Sequence, residues 1–70
     1  MKPAELLRIL RRRATRLGLE HEETDAKGSH IKVRHGGHVT IIPMHRKDIP
    51  TGTYRAILKQ LRLAGSDLEE

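Results

Sequence analysis

The chain has 70 residues, 36% of them apolar and Tyr54 the only aromatic, so it is read as one domain, residues 1–70, whose core must come from Leu, Ile, Val and Ala. Lys and Arg total 14 against 9 Asp and Glu, and the net charge of +5 favours a polyanionic partner such as nucleic acid. The lack of cysteine excludes disulfides, thiol catalysis and cysteine zinc sites, and no apolar run has the length of a secretory signal or a membrane span, so a cytoplasmic protein with no membrane contact is expected.

In chain order, the periodicity predicts an amphipathic helix from near Pro3, which suits a first helical turn, to just before Gly18. Leu6, Leu7, Leu10, Ala14 and Leu17 form its apolar stripe, and Arg8, Arg12 and Arg16 form an arginine face on the other side. Leu19 to Thr24 reads as an edge strand, weak because its polar residues outnumber the apolar ones. Asp25 to Gly28 is a turn in which Gly28 supplies a positive φ. His30 to His35 alternates, with Ile31 and Val33 on one face and His30, Lys32 and Arg34 on the other, so His30 is expected to point away from the core.

Gly36-Gly37 then signals a hairpin into Val39 to Pro43. A strict two-residue turn pairs His35 with His38 and places Ile31 and Val33 on the same face as Thr40 and Ile42. A bulged or odd-length connection gathers Ile31, Val33, Val39 and Ile41 instead, and is the expectation here. Pro43 to Pro50 is a loop, and a second helix runs from about Thr51 or Thr53 to Leu63, with Tyr54, Ile57, Leu58 and Leu61 at core spacing and Gly65 as its stop. Residues 66–70 are expected to be a frayed acidic tail. The order α-β-β-β-α gives an α+β fold, a three-stranded antiparallel sheet with both helices on one face.

The stretch with most chemistry is Lys27-Gly28-Ser29-His30-Ile31-Lys32-Val33-Arg34. A base of the kind that titrates near neutrality, beside cations that attract phosphate, is the minimum equipment for cutting RNA without a metal. The 2′-hydroxyl of RNA attacks the adjacent phosphate once a base removes its proton, leaving a 2′,3′-cyclic phosphate, and neighbouring cations stabilise charge on the phosphorane oxygens. His30 is the candidate base. His45 is a second candidate, as general acid or phosphate contact, although a histidine at this place often serves to fix a loop, and Ser29 either donates a hydrogen bond to phosphate or belongs to the turn. His21, His35 and His38 have no chemical context and are expected at the surface.

No metal site is expected, since neither a helical i, i+4 histidine pair nor a supporting carboxylate cluster is visible, and no cofactor is implied. Grip on RNA is assigned to Lys27, Lys32, Arg34, Arg46, Lys47, Arg55 and Lys59, with the amides around Gly52 and Thr53 as a further phosphate site. Without an aromatic stacking platform, strong sequence specificity is not expected. Two competing readings are a non-catalytic RNA-binding module and a protein-binding adaptor using Arg8, Arg12 and Arg16.

Gly28-Ser29-His30 opening the second strand, Pro43-Met44-His45 closing the third, and Thr53-Tyr54-Arg55-Ala56-Ile57-Leu58-Lys59-Gln60 in the last helix together resemble the HicA family of toxin mRNA interferases. The resemblance runs from the first helix to about Leu63. It implies a double-stranded-RNA-binding-domain-like fold, endoribonuclease activity on mRNA, and a HicB-type antitoxin that blocks the active surface, with the toxin monomeric until bound. It places the family's catalytic histidine at His30. Many relatives carry an aromatic shortly after that histidine where this chain has Ile31, Lys32 and Val33, a departure that bears on substrate preference.

Overall fold

The computed structural model describes residues 1–69. Helix α1 spans Pro3–Leu17, strands β1, β2 and β3 span His21–Asp25, His30–His35 and His38–Pro43, helix α2 spans Thr51–Gln60, and a 3₁₀ turn spans Gly65–Leu68. The strands form one antiparallel sheet in the order β1-β2-β3. Both helices pack on the same face, where Leu6, Leu7, Leu10, Val33, Ile42, Ile57, Leu58 and Leu61 make the core.

Helix α1 starts with Pro3 in its first turn, where a missing N–H costs nothing, and ends on Gly18 in the left-handed region at φ 67°, with the Leu19 N–H closing back on Ala14 O at 2.8 Å. Leu6, Leu7, Leu10 and Ala14 are buried as the periodicity predicts, and Arg8, Arg12 and Arg16 are exposed. Leu17, assigned to the stripe, is exposed in the last turn. Ile9, which was not assigned to it, is buried because the 3₁₀ turn sets Leu68 against this side of α1.

The hairpin differs from expectation. Its register pairs His35 with His38, Val33 with Thr40 and Ile31 with Ile42, with no extra residue in either strand. Gly36 and Gly37 have φ of 59° and 85°, and two successive positive-φ residues make the two-residue turn whose twist matches that of the strands, so no bulge is needed. The inward face therefore carries Thr40 rather than Val39 or Ile41. Its hydroxyl donates to Gln60 Oε1 at 2.6 Å, which removes the penalty of burying it. Val39 and Ile41 are left outside, 39% and 43% exposed.

Helix α2 ends three residues short of the predicted Leu63. Arg62 takes the left-handed conformation at φ 59°, and the Leu63 N–H donates to Leu58 O at 2.9 Å, so the chain reverses before Gly65 is reached. Gly65 instead opens the 3₁₀ turn, where Asp67 Oδ2 accepts from the Ala64 N–H at 2.7 Å. The tail expected to fray is thus folded through Leu68, which is buried in the core, and the expectation for Glu70 lies outside the described residues. Among the described residues no helix is long and apolar enough to cross a membrane.

Candidate functional site

Strand β2 is central, and its odd positions Val33 and His35 are buried under the helices. Side chains alternate across a strand, so His30, Lys32 and Arg34 stand on the opposite, uncovered face. The preceding turn closes with the Ala26 N–H donating to His30 O at 2.9 Å, and Gly28 supplies φ 73°. A side chain at Gly28 would meet His30 Nδ1 only at ordinary contact distance, so glycine is required there for its backbone conformation rather than for space. The His30 ring is half-buried. Its Nδ1 is the one buried side-chain nitrogen or oxygen among the described residues that lacks a hydrogen-bond partner.

His45 is brought to it by the end of β3. His30 pairs with Pro43, and the ladder extends one step further as the Met44 N–H donates to Ser29 O at 2.7 Å. Met44 packs against the core, which anchors the loop, and the next side chain returns to the open face. The rings of His30 and His45 lie with centroids 5.5 Å apart, inclined by 55°. Ser29, half of the same backbone link, is exposed.

The predicted cations divide into groups. Lys32 and Arg34 share the open face with His30, Lys27 lies in the turn before it, and Arg46 and Lys47 follow His45 in its loop. Arg55 is exposed on α2. Lys59 is set apart: with Val39, Gln60 and Arg62 it lines a shallow concavity beside the start of β3, at the far end of the strand from Pro43 and His30. Arg34 Nε is 3.6 Å from Glu20 Oε1, so a phosphate must compete for it. The other six cations make no ion pair with a described residue and are exposed. Among the described residues no group of three or more His, Cys, Asp or Glu side chains is arranged to hold a metal ion.

Two histidines expected at the surface are not there. His35 is 1% exposed and His21 half-buried, because the alternation of β2 puts His35 on the inward face with Ile31 and Val33, and the β1–β2 ladder pairs it with His21. Arg13 Nη1 lies 3.0 Å from His35 Nε2, the two Nδ1 atoms are 3.0 Å apart, and His21 Nε2 is 2.6 Å from Glu23 Oε2. Arg11 completes the chain with two bonds to Glu23. Burial, reinforced by His21 and Arg13, pushes the His35 pKa down to about 4, while the Arg11 hydrogen bond holds the Glu23 carboxyl below its ordinary range. Inward parity is the available signal for both residues, since His35 alternates with Ile31 and Val33 and His21 with Leu19; histidine's polarity argues against burial until partners are in place. His38 is exposed, as expected.

Fold and site together define a small basic α+β protein with a histidine pair on the open face of its sheet. Over residues 4–63 the chain matches the family described as HicA toxin of bacterial toxin-antitoxin, and it belongs to that family. It is therefore the toxin of a toxin-antitoxin system, the kind of protein that is paired with an antitoxin. The matched span includes all of α1 after Pro3, the whole sheet, both site histidines and α2. No curated protein matched the chain.

Proposed function

We propose that this toxin is a metal-independent endoribonuclease acting on mRNA in the cytoplasm, that His30 is its catalytic base, and that its antitoxin is of the HicB type. The observation that carries this reading is the placement of His30: on the open face of the central strand, with Lys32 and Arg34 beyond it and Lys27 just before it. A backbone phosphate drawn to those cations brings its neighbouring 2′-hydroxyl towards the ring. His30 takes the hydroxyl proton, the 2′-oxygen attacks phosphorus, and the bond to the 5′-oxygen of the next nucleotide breaks, giving a 2′,3′-cyclic phosphate and a 5′-hydroxyl. The nucleophile is part of the substrate, so the scheme needs no activated water. Lys27, Lys32 and the neighbouring loop cations Arg46 and Lys47 stabilise the charge that builds on the phosphorane, and Ser29 is placed to donate a further hydrogen bond.

The test is RNA cleavage in EDTA by the native protein and by His30→Ala, with product ends analysed. Cyclic phosphate ends from the native protein, and cleavage lowered at least about 100-fold in the variant with RNA affinity retained, are expected. Cleavage that appears only when magnesium is added would overturn the mechanism. Equal RNA binding by both forms with no cleavage by either would leave a non-catalytic RNA-binding module.

A further inference from the structure

The geometry points to His45 as the general acid of this reaction, the group that hands a proton to the departing 5′-oxygen. This rests on the nuclease reading above and goes beyond it, since a lone base accounts for attack but not for departure of an alkoxide. Three observations carry it. The rings of His30 and His45 lie with centroids 5.5 Å apart, inclined by 55° and not stacked. Each can reach about 2.6–3.2 Å to a heavy atom, so one phosphodiester can lie across the pair with its 2′-oxygen at one ring and its 5′-oxygen at the other.

The juxtaposition is also built rather than incidental. The Met44 side chain is packed against the core and its N–H is tied to Ser29 O at 2.7 Å, so the residue before each histidine is joined directly to the other. Finally, His45 is exposed and makes no hydrogen bond or ion pair with a described residue, so its ring is not engaged in fixing the loop. The loop is held by other groups: the Ile49 N–H donates to Met1 O at 2.9 Å, and the amino terminus lies 3.7 Å from Asp48 Oδ1.

The step balances. His30 accepts the proton of the 2′-hydroxyl as the 2′-oxygen to phosphorus bond forms. The phosphorus to 5′-oxygen bond breaks, and imidazolium at His45 gives its proton to that oxygen. One histidine gains a proton and the other loses one, and solvent exchange restores both.

The test replaces the leaving atom. At a linkage the native protein cuts, RNA is prepared with the bridging 5′-oxygen or with sulfur in its place. A thiol leaves as thiolate near neutral pH and needs no acid. His45→Ala and His45→Gln should cut the oxygen substrate at least about 100-fold more slowly than the native protein and the sulfur substrate within a few-fold of it, while His30→Ala is slow on both. The glutamine variant separates proton donation from hydrogen bonding. Oxygen cleavage by His45→Gln at the native rate, or an equal loss on both substrates for both His45 variants, would overturn the assignment and leave a phosphate contact or a loop anchor. Failure of the native protein to cut either substrate would bring down the nuclease reading and this one with it. Native cleavage with unrescued His45 variants would bring down this one alone.

Discussion

His21 and His35 face each other across the β1–β2 ladder with their Nδ1 atoms 3.0 Å apart, so one nitrogen must carry a proton and the other must not. The ends of the chain of contacts decide which. Arg13 can only donate, so His35 Nε2 accepts and the His35 proton sits on Nδ1. That nitrogen donates to His21 Nδ1, and the His21 proton on Nε2 then goes to Glu23, which also accepts from Arg11. Every member is satisfied only with both rings neutral. Charging either ring puts two N–H groups against each other.

Acid should therefore unfold this protein in a defined window. Unfolded, the His35 ring titrates near 6.5, and folded, near 4. Between those values the unfolded chain binds a proton that the folded chain does not, so the contribution is complete above pH 6.5 and is lost as pH falls towards 4. The loss amounts to roughly 3 kcal/mol, and Glu23, whose folded pKa is depressed, adds to it as pH falls further. Urea unfolding from pH 7.5 to 4 measures it. A stability that is flat across this range would show that the His21–His35 contact is not made.

The hairpin register can be read from two neighbouring isoleucines. Ile42 is fully buried and Ile41 is 43% exposed. Ile42→Ala should cost about 2–5 kcal/mol and Ile41→Ala less than about 0.5. Thermal unfolding of the two variants decides between this pairing and a bulged one, which would reverse the order.

Gly28 adopts φ 73° with ordinary room for a side chain beside it. Gly28→Ala should lower stability by about 1–2 kcal/mol through backbone strain. Because the turn sets where β2 starts, cleavage should fall as well, which a melt and an RNA assay on the same preparation would show together.

Lys32 and Lys59 are equivalent cations by sequence but lie at different places. Lys32 is on the open face two positions from His30, and Lys59 is beside Val39 at the other end of the sheet. Lys32→Ala should weaken binding of single-stranded RNA and reduce the slope of log affinity against log salt by roughly 0.7, while Lys59→Ala should change the slope less. Binding titrations at several salt concentrations measure both slopes.

Much of this protein is local. Pro3, the leucine spacing and Gly18 bound α1 because capping and periodicity act within one turn. Alternation in His30–His35 delivers the direction of His30, since it needs only the pleat of one strand. What pairs with what is a different kind of question. Whether Thr40 or Ile41 faces the core depended on the hydroxyl finding Gln60 from another element, and a histidine on the inward face of β2 can stay buried there only because Arg13 and His21 meet its ring nitrogens. The end of α2 turned on Arg62 accepting a left-handed conformation that Gly65 would have taken more cheaply, and the burial of Leu68 on an open side of α1. The approach of His45 to His30 required Met44 to find the core and Ser29 to accept its N–H. Conformation within a residue's own turn or strand is set by its neighbours in the chain, whereas the burial of a polar group is decided by a partner that only folding brings to it.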